Sequence, residues 1–150
     1  MRTAIAYVLM AALALVYVVP HAGAAMMGGD VKKELQTAIF HSSELAQRGN
    51  AVAGAKLHVQ HVINCLEGPN GPNVKAEAGF PCQGMGNGIV PDLKDAAAAK
   101  VPGAAEALKQ ANLAWTLAVQ AIAKNDVNEV QPWAKVVSDH LKMALAALGS

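Results

Sequence analysis

The chain has 150 residues, 53% of them apolar and only 4% aromatic, with twelve basic side chains against eleven acidic ones. That length holds one compact domain with a real core and is too short for two. A near-neutral chain has no electrostatic footprint for nucleic acid or an anionic membrane, so neither is an expected partner.

Arg2 opens the sequence, an unbroken apolar run from Ala4 to Val19 follows, and Pro20 breaks it before Ala22-Gly23-Ala24. This is the pattern of a secretory signal peptide over 1–24, cleaved after Ala24, with a single domain over 25–150. The run is shorter than the roughly 20 residues of a spanning helix, and no basic stop-transfer cluster follows it. No stable membrane anchor is therefore expected after cleavage, and the expected location is periplasmic or secreted. Loss of Arg2 balances eleven basic against eleven acidic side chains. In an oxidising compartment the chain's two cysteines, Cys65 and Cys82, are expected to form one disulfide.

Beyond the leader, abundant Ala with few aromatic residues favours helix over sheet. Asp30 caps a predicted first helix over 30–48, stopped by Gly49-Asn50, and Asn50 caps a second over 50–66. These two should form a tight antiparallel hairpin. A third helical region is predicted over 92–124, interrupted near Pro102, which is tolerated in the first turn of a new segment. The fourth starts at Asp126, with Glu129 in capping-box spacing, and is kinked or restarted at Pro132 before running to Leu148. Between helices two and three lies a Gly- and Pro-rich stretch, 67–92, long enough that it should be functional or tied down, and the disulfide supplies the tie. Its Gly84–Gly88 segment, GMGNG, lacks the preceding strand and following Lys of a phosphate loop and reads as turn-forming. The expected fold class is all-α, a four-helix up-down bundle with a long disulfide-pinned loop between helices 2 and 3.

Helical periodicity then assigns faces. Helix one carries Val31, Leu35, Ala38, Ser42, Leu45 and Ala46 inward, with His41 on the flank near Glu34 and Glu44. Helix two carries Ala51, Ala55, His58, Val62 and Cys65 inward and Lys56, Gln60, Asn64 and Glu67 outward, with His61 at the edge. His58 and His61 have the i, i+3 spacing that lets two imidazoles share an ion. On the third region, Trp115 with Leu108, Ala111, Val119 and Ile122 reads as a core stripe. On helix four, Trp133, Val136, Val137, Met143, Ala144, Ala147 and Leu148 form an apolar arc with His140 near its middle. At about 1.5 Å per residue, His41, His58, His61 and His140 reach compatible depths in the bundle.

The segments HVQHVINCLEGPNG, from His58, and PCQGMGNGIVPD, from Pro81, resemble the signature of small exported bacterial helical proteins. The matching positions are His58, His61, Asn64, Cys65, Pro69, Gly71, Pro81, Cys82, Gly84, Gly86, Gly88, Pro91 and Asp92, within about a quarter of the chain. The resemblance implies a helical fold and an exported compartment, not a reaction.

The expected function is a histidine-based transition-metal site, with His58, His61 and His140 as ligands and His41 or Glu44 completing or supporting the shell. Such a donor set suits copper, zinc, iron or nickel. Binding is expected rather than catalysis, because His-Glu-x-x-His and Glu-x-x-His motifs are absent. The alternative is a ligand-free structural or interaction module, in which Phe40 and the Gly/Pro-rich loop meet a protein partner. Non-covalent haem held by His58 and His140 is a third reading; covalent c-type haem is excluded, since no Cys-x-x-Cys-His occurs.

Overall fold

The computed structural model describes residues 29–48 and 50–149, and every regular element in them is helical. The predicted leader lies outside the described residues. Five α-helices are present in the described chain: α1 (Val31–Phe40), α2 (Val52–Glu67), α3 (Ile89–Ala98), α4 (Ala104–Ile122) and α5 (Val127–Ala147). A π-helical turn, His41–Leu45, extends α1, and a short 3-10 turn, Ala76–Ala78, lies in the long loop. No helix among the described residues is long and apolar enough to cross a membrane.

Two helix starts follow the expected capping. The Asp30 carboxylate accepts the Lys33 N–H at 3.1 Å, and the Asp126 carboxylate accepts the Asn128 N–H at 2.9 Å. Helix α2 instead starts from Ala51, one residue beyond the predicted Asn50 cap. The predicted third region begins earlier, at Ile89, and splits into two separate helices. Pro102 lies in the break rather than in the first turn of α4, where Lys100 and Gly103 both take left-handed backbone angles. Through Pro132, by contrast, α5 continues unbroken. The amide hydrogen that proline lacks would have bonded only to the first turn.

The core is built largely from alanine. On α4, Ala104, Ala107, Ala111, Ala114, Ala118 and Ala121 are all fully buried at alternating three- and four-residue spacing. They face α5, whose buried positions are Val130, Ala134, Val137, Ser138, Leu141 and Ala144. This alanine stripe replaces the predicted Trp115 stripe: Trp115, Leu108, Val119 and Ile122 are only partly buried at its margin. The α5 face is likewise rotated from the predicted arc, with Val136 and Met143 more than 40% exposed and Leu141 fully buried. Larger side chains complete the same core, with Leu35, Ile63, Leu66, Ile89 and Leu93 fully buried. Each such residue stabilises by roughly 1.5–3 kcal/mol through removal of apolar surface from water.

The long loop is tied down at several points. Cys65 and Cys82 are bonded, with Cα atoms 5.4 Å apart. At its base the chain returns on itself: a Cβ at Gly88 would lie 2.4 Å from the Gly68 nitrogen, so only glycine permits this crossing. Glu67, predicted to point outward, is the loop's polar anchor. Its carboxylate accepts the Asn73 backbone and side-chain N–H groups at 2.7 and 2.6 Å and the Trp115 indole N–H at 2.6 Å.

Candidate metal centre

His41 is delivered by the π-helical turn. The extra residue in the turn puts the Ala46 N–H on the His41 carbonyl at 3.0 Å, an i+5 bond that widens the helix just after His41. The carbonyls disturbed by this widening find side-chain donors. Ser42 Oγ donates to Ala38 O at 2.9 Å, Ser43 Oγ to Ile39 O at 2.7 Å, and Gln47 Nε2 to Ser42 O at 2.9 Å.

Helix α2 brings His58 and His61 to the same place. His41 Nδ1 lies 3.1 Å from His61 Nδ1 and 3.4 Å from His58 Nδ1, and one ring nitrogen from each of the three lies within 4.8 Å of the others. A tetrahedral centre with metal–nitrogen bonds of about 2.0–2.1 Å has nitrogen–nitrogen edges of about 3.3 Å, so two edges of a coordination shell are already in place.

The third histidine is oriented from behind. His61 Nε2 lies 2.5 Å from the Ala78 carbonyl, which can only accept, so that nitrogen carries the proton and Nδ1 keeps its lone pair towards His41. Ala78 is itself held by helix α2. Asn64 Nδ2 donates to Lys75 O at 2.9 Å and Gly79 O at 2.7 Å, its Oδ1 accepts the Lys75 N–H at 3.1 Å, and Gln60 Nε2 donates to Asn73 O at 2.8 Å. Gln60 and Asn64, predicted to face outward, are thus buried beneath residues 73–79. The loop is the outer support of the site.

Burial, reinforced by the neighbouring His61 and His58, lowers His41 to about 4. His58 is also lowered, first by burial and then by His61. Both shifts favour the neutral imidazole, which is the form that binds metal.

The other two predicted site residues are placed elsewhere. His140 is not in the cluster; its Nδ1 lies 2.8 Å from Gln110 Oε1 on α4. The rotation of α5, which buries Ser138 and Leu141, turns His140 to that flank. Glu44 is paired with Arg48 at 2.5 Å, one helical turn on, and is likewise outside the cluster. His140 therefore pairs with Gln110, while His58 belongs to the three-histidine cluster.

Replacing Asn64 by Ala should lower zinc affinity by about 10–100-fold, the usual cost of an outer partner, because the Ala78 carbonyl loses its anchor. Isothermal titration of the variant against wild type checks this, with circular dichroism to verify that the helices remain.

Comparison of the chain with protein-family models, with curated proteins and with solved structures finds no match.

Proposed function

We propose that this protein is a small exported helical domain that holds a transition-metal ion through His41, His58 and His61. The observation that carries the reading is the convergence of three imidazoles, one of them fixed in its ligating tautomer by the Ala78 carbonyl. Three nitrogens with an unfilled fourth position suit zinc or copper, and copper(II) should bind tightest among the divalent ions. In this reading α3 and α4 together occupy the third position of a four-helix up-down bundle. The leader pattern over 1–24 and the Cys65–Cys82 disulfide support an oxidising, exported setting. Phe40, 52% exposed and edge-on to His41 at 5.9 Å, gives the interaction-module reading its one specific support, as an apolar neighbour of the metal site. Calorimetric titration of tag-free protein with zinc and copper tests the proposal; one ion bound per chain below the millimolar range is expected, and no binding would leave the interaction module.

The histidines also set a pH dependence. Unfolded His41 takes up a proton near 6.5, the folded ring only at about 4, so the unfolded state binds more protons between these values. Its contribution to metal-free stability is therefore complete above 6.5 and is lost as pH falls towards 4. Glu34, raised to about 7, acts in the opposite sense, so the comparison is made between wild type and His41→Gln. Urea midpoints across this window should fall more steeply with acid in wild type.

A further inference from the structure

We propose that Glu34 and Asp92, with the Met85 carbonyl, form a second cation site, for a hard divalent ion of the calcium class. This site is independent of the histidine cluster, since Glu34 precedes His41 by two turns, about 10 Å along the helix.

Both side chains are completely buried, and neither oxygen of Glu34 has a hydrogen-bond partner at normal geometry, the Gly88 N–H giving it only partial electrostatic support. An unpaired buried carboxylate is strongly disfavoured, so something must neutralise it. The surroundings offer oxygen ligands. From the position a Cβ would take on Gly86, Asp92 Oδ2 is 2.1 Å away and Glu34 Oε1 is 2.9 Å away. From the corresponding position on Gly29, the Met85 carbonyl oxygen is 2.4 Å and Asp92 Oδ2 is 2.7 Å away. Oxygens of Glu34 and Asp92 thus crowd Gly86, and oxygens of Met85 and Asp92 crowd Gly29, so the oxygens of three residues gather around these two glycines.

Asp92 is held in position by Asn87, whose backbone and side-chain N–H groups each donate to its carboxylate at 3.1 Å. Met85 O, which accepts the Asp30 N–H at 2.7 Å, keeps a second lone pair.

The donor chemistry selects the ion. Oxygen-only ligands favour hard cations over copper or zinc, and two carboxylates are neutralised by one divalent ion. Calcium tolerates irregular shells with a bidentate Glu and can complete its roughly six to eight oxygen ligands with water, whereas magnesium demands near-octahedral geometry that three protein residues so placed do not supply. The charges facing Glu34 are those of Asp92 from α3 and Asp30 from the start of α1, both acidic, with the Gly88 N–H opposing them in part. Burial and these charges raise the Glu34 carboxyl to about 7, so a proton is the natural competitor in acid and the cation should win in mild alkali.

The test is thermal unfolding of chelator-treated mature protein at about pH 8, with and without millimolar calcium. Calcium should raise the wild-type midpoint by several degrees, magnesium should do less, and Glu34→Gln should abolish the response. Glu34→Gln preserves size and removes one buried charge, so it should itself unfold no earlier than calcium-free wild type. His41→Ala should keep the calcium response. No calcium shift in wild type, or an equal shift in Glu34→Gln, overturns the assignment. A midpoint that follows pH alone, falling from about pH 6 to 8 whether or not calcium is present, also overturns it and assigns a shared proton to the pair.

Discussion

Replacing His41 by Ala lowers zinc and copper affinity by more than about 100-fold, beyond the roughly 10–100-fold typical of losing an outer partner. The reason is geometric. His41 Nδ1 is the hub of the cluster, in contact with the Nδ1 atoms of both His58 and His61, so its removal eliminates both short edges at once. The fold should survive. His41 is only half-buried, and burial beside two other imidazoles disfavours its charged form, so its loss leaves no buried charge unpaired. His140→Ala is the matched control: its ring meets Gln110 rather than the cluster, so metal affinity should stay at the wild-type value. Calorimetric titration of the two variants side by side measures both outcomes. Equal losses would return His140 to the site.

Reducing the disulfide should have the largest effect on stability and a second effect on metal binding. The bond joins residues 17 apart, close to the 15-residue loop for which chain entropy gives about 3 kcal/mol, and losses of native disulfides run at about 2–5 kcal/mol. The same bond closes the segment that contains Ala78, whose carbonyl orients His61. Cys65→Ala/Cys82→Ala should therefore unfold at lower denaturant and, where still folded, bind zinc less tightly. Chemical denaturation with and without saturating zinc separates the two. An unchanged midpoint would show that the loop's other ties, at Glu67, Asn64 and Gln60, suffice without the bond.

Much of this was legible in the sequence because it depends on local chemistry. Asp30 and Asp126 announce helix starts through their own side chains, and two cysteines leave one possible pairing. The spacing of His58 and His61 and the flank position of His41 likewise needed only helical periodicity. What was not legible depends on partners distant in sequence. Gln60 and Asn64 look solvent-facing by pattern, since nothing local reveals that residues 73–79 cover them. Glu34 was read only as a neighbour of His41 on the flank of the first helix, yet Asp92 and Gly86 close over it.

The misplacement of His140 has a specific cause. Alanine contributes too little to an apolar arc to fix its centre, and α5 packs on a stripe of alanines from α4. With Trp133, Val136 and Met143 weighting the arc, the face was drawn to one side, and Leu141 and Ser138 define the buried one. Depth along the helix axes was therefore a poor guide to which histidines meet; rotation about each helix axis decided it.

The most direct test of the central claim is nitrogen NMR of the histidine rings in protein labelled with nitrogen-15, recorded as zinc is added. The account predicts that the Nδ1 resonances of His41, His58 and His61 move to metal-bound positions together at one equivalent. His61 Nε2 should remain protonated against the Ala78 carbonyl, and the His140 resonances should not move. Resonances of the three rings that ignore zinc, or a His140 that shifts with them, would contradict it.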